Sequence, residues 1–271
     1  MPLTPFQQKV LGIIRGNRSE ASHFAGGLVL NAADASSRYS HDFDLFHDAI
    51  EDLCRSSDED VAALEKAGMQ VEKLNEHGAW DEERSFRKAI VRAEGDELAI
   101  DWAHDSAWRF FPIMEDPLLG WRLHLFDMAS NKALALSART ETRDYVDIVE
   151  LGERYTLEAI IWAACGKDGG FTPPFLLDYM RRFARISPGT LTEIKARDLD
   201  PVDLKRRWTE MHVRAGEEIN RIADTMPDLP IGIAFIGKDG EPGWIGDDPT
   251  LVPHRPTCKG CWPVIHGIHV D

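Results

Sequence analysis

The sequence predicts an α+β protein whose first half combines a small mixed sheet with helices and whose second half is mainly helical. Residues 42–46 alternate polar and apolar side chains, and residues 85–92 and 98–102 form two strand-like runs around a glycine turn. In the second half, apolar residues recur every three or four positions, as on amphipathic helices. A chain of 271 residues is long enough for two modest domains. We therefore expect one domain over 1–125 and a helical domain over 126–271.

Each helix follows from a local pattern of apolar residues. Residues 5–16 place their apolar side chains on one helical face, so a helix opens the chain. Two glycines precede a short apolar helix over 28–33. The same periodicity predicts further helices over 47–76, with a break near residues 56–57, and over 127–138, 144–166, 175–185 and 201–226. The tail, 227–271, is rich in proline and glycine, and we expect it to be irregular.

Composition excludes several classes of protein. The chain has 46 acidic and 31 basic residues and a formal charge of −15, which argues against unspecific coating of nucleic acid or anionic membrane. No segment has the roughly 20 apolar residues of a membrane span, and residues 1–18 lack the apolar segment of a signal peptide. Four cysteines do not make a disulfide scaffold. We expect a cytoplasmic protein.

Two aspartates and two glycines carry the sharpest chemical signal. On a strand, Asp42 and Asp44 point to the same face, where two carboxylates repel each other unless a cation such as Mg²⁺ lies between them. Gly26 and Gly27 stand before a helix, where a phosphate can approach the backbone N–H groups closely. A third carboxylate, Asp101, lies on a neighbouring predicted strand. Together these residues predict a metal–nucleotide site.

Each of these signals also has an ordinary structural interpretation. An Asp-x-Asp pair is common in acidic proteins, a Gly-Gly pair usually forms a turn, and a strand aspartate such as Asp101 often faces solvent. The order favours the functional interpretation, because the glycine pair, a helix, the two aspartates and a hairpin with a third aspartate follow one another.

The order of these residues resembles the opening motif of the AbiEii-type nucleotidyltransferases, which belong to the polymerase-β-like nucleotidyltransferase superfamily and include toxins of toxin–antitoxin and phage-abortive systems. That motif reads Gly-Gly, a helix and then Arg-x-Ser-x-Asp-x-Asp. A later family block, a lysine followed by Arg-Asp-x-x-Asp, is matched by Lys132 and by residues 143–147. The resemblance covers residues 20–155. The opening motif is matched by Gly26, Gly27, Arg38, Ser40, Asp42 and Asp44.

The resemblance implies a role for each matching residue. Asp42, Asp44 and Asp101 would bind Mg²⁺, and Asp101 could also act as the general base. Gly26 and Gly27 would hold the triphosphate of an NTP. Many relatives have an arginine in the helix after the glycines, where this chain has only apolar residues and an asparagine. That phosphate contact is therefore missing or comes from Arg38. Lys132 would neutralise a phosphate as a point charge and take part in catalysis. Further residues that would line the nucleotide site are Ser40, Asp144 and Asp147.

The implied activity is Mg²⁺-dependent transfer of a nucleotide from an NTP to an acceptor hydroxyl. Candidate acceptors are tRNA, a small molecule or a protein, and an antitoxin protein is a candidate partner. A module of the same fold that binds an NTP or a partner without catalysis is the alternative. Resemblance alone supports the toxin assignment, since no property of the sequence indicates toxicity.

Two weaker signals lie in the second half. A Cys-x-x-Cys pair with flanking histidines could bind Zn²⁺, or could be a surface loop with two thiols or a redox-labile pair; its members are His254, Cys258, Cys261 and His266. Three arginines recur every seven residues and share a helical face that could bind RNA phosphates, or could be a solvated surface with salt bridges; they are Arg207, Arg214 and Arg221.

Overall fold

The computed structural model describes residues 3–31, 40, 42–74, 80, 84–181, 188–192, 194 and 199–265. In these ranges the α-helices are α1 Pro5–Ile14, α2 Gly26–Asn31, α3 Ile50–Lys66, α4 Leu125–Ala138, α5 Thr142–Leu151, α6 Leu157–Ala164, α7 Pro173–Tyr179, α8 Pro188–Thr192 and α9 Pro201–Thr225. The strands are β1 Ser22–Ala25, β2 Asp42–His47, β3 Gln70–Leu74, β4 Phe86–Ala93, β5 Asp96–His104, β6 Trp108–Arg109, β7 Met114–Asp116, β8 Gly120–Arg122, β9 Ala234–Ile236, β10 Pro242–Gly243, β11 Val252–His254 and β12 Thr257–Cys258.

The chain forms two compact units. Unit 1 comprises residues 1–107 and 112–124, and unit 2 comprises residues 108–111 and 125–271. Within its described residues, unit 1 contains a sheet in the order β3-β4-β5-β2-β1-β8-β7. The pairs β2–β5 and β1–β8 are parallel, and the other pairs of this sheet are antiparallel. The sheet is therefore mixed, as the sequence predicted.

The core of unit 1 lies on one face of this sheet. Phe43 and Leu45 of β2 are fully buried, and the Phe43 ring packs edge-on against Phe24 with centroids 5.8 Å apart. On the same side, Arg18 and Asp60 form a buried ion pair in which a guanidinium nitrogen lies 2.6 Å from a carboxylate oxygen. The alternation that buries one face of β2 leaves the side chains of its other face only partly buried.

Unit 2 has a helical core with a small sheet attached. Tyr145 of α5 is fully buried and packs edge-on against Trp208 of α9, with centroids 5.1 Å apart. The tail over 227–271, which the sequence analysis expected to be irregular, contains three short strands in its described residues: β9, β10 and β11 form an antiparallel sheet. The apolar run Ile233–Ile236 is buried there, together with Trp244. Burial of this apolar surface outweighs the turn preference of the surrounding glycines and prolines.

Two predicted helices are shorter than expected. The break expected near residues 56–57 is wrong, because both serines are buried within the continuous helix α3. The helix predicted over 47–76 ends at Lys66, because Gly68 adopts a φ of +82° and β3 then pairs with β4. The helix predicted over 144–166 is divided into α5 and α6 by residues 152–156, and Tyr155 in this break is buried. Within the described residues, no helix is both long and apolar enough to cross a lipid bilayer.

Candidate functional site

The predicted carboxylates lie together on the partly buried face of the unit 1 sheet. Asp42 and Asp44 alternate with buried residues of β2, so both side chains are on the opposite face. Asp101 of β5 is the direct neighbour of Asp44 in the parallel pairing of the two strands. The same row continues to Ala25 of β1 on one side and to Lys88 of β4 on the other. We call this row, Ala25–Asp44–Asp101–Lys88, the carboxylate row.

The glycine pair lies at the end of this row. Gly26 follows Ala25 directly, begins α2 and has a φ of +62°, a conformation that side chains other than that of glycine rarely adopt. A Cβ atom on Gly26 would lie 1.7 Å from Oδ2 of Asp44. Only a glycine at position 26 allows the backbone to approach the Asp44 carboxylate this closely. Gly27 is buried at the start of the helix.

The hydrogen bonds described for Ser40 join it to Asp42 and to Gln7. Its hydroxyl donates to the backbone oxygen of Asp42 at 3.0 Å and lies 3.4 Å from Asp42 Oδ1. The side-chain amide of Gln7 donates to the Ser40 carbonyl at 2.7 Å, which anchors Ser40 to α1. These contacts position the first aspartate. Arg38, the other predicted residue of this segment, lies outside the described residues.

Lys88 is a neighbour of the carboxylates that the sequence analysis missed. Its ammonium group lies 3.0 Å from Oδ1 and 3.3 Å from Oδ2 of Asp101. The sequence does contain a signal for this pairing, the two-residue turn Glu94-Gly95. Both turn residues have positive φ, and a hairpin turn of this type fixes the register of the two strands that it joins. Counting back from the turn, the fifth pair after Ala93–Asp96 is Lys88–Asp101.

The two aspartates of β2 offer carboxylate oxygens that suit Mg²⁺. Asp42 and Asp44 supply hard carboxylate oxygens from one face, and the Gly26 backbone leaves an approach that a Cβ would fill. In the described part of the chain no group of three or more His, Cys, Asp or Glu is placed to hold a metal ion, and the Asp101 carboxylate is paired with Lys88. The predicted binding of one Mg²⁺ by Asp42, Asp44 and Asp101 together therefore stays a prediction. Mg²⁺ is usually held by one or two carboxylates plus substrate phosphates, so two aspartates and a triphosphate are a fitting set.

Lys132, Asp144 and Asp147 come together in unit 2 as a buried cluster. The Lys132 ammonium lies 2.6 Å from Asp144 Oδ1 and 2.8 Å from Asp147 Oδ2, and Arg139 Nε donates to Asp144 Oδ2 at 2.9 Å. Burial by itself lowers the pKa of Lys132, but the Asp147 and Asp144 charges outweigh it and the pKa lies above its usual value. Lys132 is therefore a permanent cation. Its predicted contact with a phosphate stays a prediction.

The described residues do not form the predicted zinc site. His254 is buried, and its Nε2 donates to the Phe110 carbonyl at 2.8 Å. Cys258 and Cys261 are exposed thiols on β12 and just after it, and His266 lies outside the described residues. Across the described ranges no cluster of zinc-ligating side chains is found. The arrangement is that of the alternative interpretation, a surface segment with two thiols.

The arginine stripe on α9 is engaged in ion pairs. Arg207 Nη2 lies 2.7 Å from a Glu153 carboxylate oxygen, and Arg214 pairs with the buried Glu158 at 2.9 Å. Arg221 pairs with Glu218, three residues before it on the same helix. The stripe therefore has the salt-bridged form that the alternative interpretation predicted.

Comparisons with known proteins identify the fold. No protein-family model and no curated protein matches the chain. Among solved structures, MenT4, a nucleotidyltransferase toxin from Mycobacterium tuberculosis H37Rv, aligns with a TM-score of 0.52 and 14% identity over 80% of this chain and 85% of MenT4. A Helicobacter pylori protein described as a proposed nucleotidyltransferase aligns with a TM-score of 0.50 and 14% identity over 81% of this chain and 99% of that one. The predicted α+β architecture is confirmed, and the chain has the nucleotidyltransferase fold that its resemblance to the AbiEii-type family implied.

Proposed function

We propose that this protein is a Mg²⁺-dependent nucleotidyltransferase that moves a nucleoside monophosphate from an NTP to an acceptor hydroxyl. The observation that carries the proposal is the carboxylate row, in which Asp44 lies between the Gly26 backbone and Asp101, with Asp42 on the same face. The fold shared with solved nucleotidyltransferases supports the same chemistry. A turn of glycines beside paired carboxylates suits a triphosphate with its cation.

In this proposal the three aspartates and the glycine turn have separate tasks. Asp42 and Asp44 would hold the cation, and the backbone at Gly26 and Gly27 would lie against the triphosphate. Bound Mg²⁺ would offset the negative charge of the triphosphate and of the leaving pyrophosphate. Asp101 lies next to Asp44, would supply the third carboxylate for the cation, and would also receive the proton of the attacking hydroxyl. Positioning and electrostatics supply most of the rate enhancement in reactions of this class.

The reaction balances with these groups alone. The acceptor oxygen forms a bond to the α-phosphorus, and the bond from that phosphorus to the bridging oxygen of the β-phosphate breaks. The electron pair leaves with pyrophosphate, and the hydroxyl proton passes to Asp101. No oxidant or reductant takes part.

Label transfer tests the proposal. The purified protein is incubated with each α-labelled NTP, Mg²⁺ and a bacterial extract, and the RNA, protein and small molecules are then separated. We expect label in one fraction with the wild type, and a loss of at least about 100-fold with Asp44→Asn. Glu97→Gln is the matched control, because Glu97 is an exposed carboxylate on the same face of β5. Equal label with wild type and Asp44→Asn would refute the metal site.

We further propose that the protein is the toxin of a toxin–antitoxin pair acting in the cytoplasm, with tRNA as the first acceptor to test among those that the AbiEii-type resemblance implies. MenT4 is a nucleotidyltransferase toxin, and this chain shares its fold. Expression of the wild type in a bacterial host should then arrest growth, and expression of Asp44→Asn should not. Label in the protein or small-molecule fraction, or growth unaffected by the wild type, would overturn this assignment while leaving the transferase chemistry intact.

A further inference from the structure

We infer that Lys88 marks the acceptor side of the site and contacts an anionic group, a phosphate or carboxylate, that adjoins the accepting hydroxyl. The inference rests on the proposed nucleotidyl transfer and extends it to the second substrate. Lys88 was absent from the sequence-based site, and it is brought there by the pairing of β4 with β5.

The order of the row separates the two substrates. From β1 to β4 it runs through Ala25, Asp44, Asp101 and Lys88, with the glycine turn directly after Ala25. Neighbouring strands lie about 4.8 Å apart, so Lys88 is about 10 Å from Asp44 across the sheet, on the side away from the glycines. The triphosphate and Lys88 therefore occupy opposite ends of the row.

The geometry of phosphoryl transfer then places the acceptor. The attacking and leaving oxygens lie roughly in line on opposite sides of the phosphorus. With the pyrophosphate at the glycine end, the attacking hydroxyl approaches over Asp101, and the part of the acceptor next to that hydroxyl lies over β4. Lys88 is the residue of β4 at this position in the row.

Lys88 has the chemistry to bind an anion there. Its side chain is 30% exposed, and its ammonium group has three donors, of which the two Asp101 contacts use at most two. A lysine ammonium acts as a compact point charge that suits phosphate or carboxylate. Arg92, on the same face of β4 four residues away, pairs with Glu72 and Glu97 instead. In a chain of net charge −15, a local cation is needed to attract an anionic acceptor.

The test compares Lys88→Met, Lys88→Arg and the control Arg92→Met, which removes a cation from the same strand face about 14 Å along the strand. We call the fraction of the bacterial extract that the wild-type protein labels, whether RNA, protein or small molecules, the acceptor fraction. We expect Lys88→Met to raise the KM for that fraction about 10- to 100-fold, Lys88→Arg to restore most of it, and Arg92→Met to change it little. A non-transferable α,β-methylene NTP is titrated in parallel with Mg²⁺, and its Kd should be unchanged in Lys88→Met.

A second measurement does not depend on turnover. Lys88 is acetylated with a limiting amount of reagent and quantified by mass spectrometry. The unlabelled acceptor fraction, added without NTP, should protect Lys88 from acetylation, and the NTP analogue alone should not. An unchanged acceptor KM in Lys88→Met, or a weakened Kd for the NTP analogue, would overturn the inference while leaving the transferase intact. A wild type that labels no fraction would overturn the proposed function and this inference with it.

Discussion

Replacing Gly26 by alanine tests the closest contact in the site. The methyl group of Gly26→Ala would start 1.7 Å from Asp44 Oδ2, whereas ordinary van der Waals contact begins at 3.4 Å. The carboxylate or the turn must therefore move by about 1.7 Å, the difference of the two distances. The φ of +62° adds a backbone penalty of about 1–2 kcal/mol, because L-residues are disfavoured there.

We expect the two consequences to differ in size. A misplacement of about 1 Å at a catalytic group can cost about 100-fold in rate, so label transfer by Gly26→Ala should fall at least that far. The free energy of unfolding should fall by only about 1–3 kcal/mol, which leaves the protein folded. Label transfer and urea unfolding are the two assays.

Gly68→Ala is the matched control for this experiment. Gly68 has a φ of +82°, and a Cβ added there would meet no heavy atom within 4 Å. It should therefore show the backbone penalty without any loss of label transfer. Near wild-type transfer by Gly26→Ala would show that the turn does not position Asp44 for catalysis, and an equal loss in Gly68→Ala would show that general destabilisation is the cause.

Two further predictions concern the stability of unit 1. Burial lowers the pKa of His47 from 6.5 to about 4, so the unfolded chain binds the proton first as the pH falls. The contribution of neutral His47 to the free energy of unfolding is therefore present above pH 6.5 and is lost as the pH falls towards 4. The free energy of unfolding should drop by about 2 kcal/mol between pH 7 and pH 5, measured in urea, and His47→Gln should remove this drop. Asp60→Asn leaves the Arg18 guanidinium buried without its carboxylate and should cost about 3–5 kcal/mol, against at most about 1 kcal/mol for the exposed Asp178→Asn. A decrease of less than 1 kcal/mol in the free energy of unfolding of Asp60→Asn would show that the Arg18–Asp60 ion pair is not buried.

Local periodicity was enough to place the paired aspartates. The alternation around Asp42 and Asp44 requires only the two-residue repeat of a strand, and the structure buries Phe43 and Leu45 as that repeat demands. The hairpin that carries Asp101 was also visible, because a glycine turn separates its two strand-like runs. Their catalytic roles remain predictions that the experiments above address.

Other features depended on contacts between segments that lie far apart in the chain. The tail read as irregular because glycine and proline dominate it, yet the buried run Ile233–Ile236 pairs with two short strands. The zinc interpretation did not anticipate that His254 would be turned to the Phe110 carbonyl, 144 residues earlier in the chain. Local composition identifies neither the strands that pair with Ile233–Ile236 nor the carbonyl that accepts from His254, because packing and hydrogen bonding in the folded state select these partners.

The sequence by itself determined which residue types face which side of each strand, since side-chain direction follows from backbone geometry within a few residues. It therefore identified Asp42, Asp44 and the glycine turn. The tertiary structure decided which strands are neighbours beyond the local β4–β5 hairpin, and so brought Asp101 beside Asp44. Strand order is set by burial of the whole sheet against its helices, a free energy that no single segment contains.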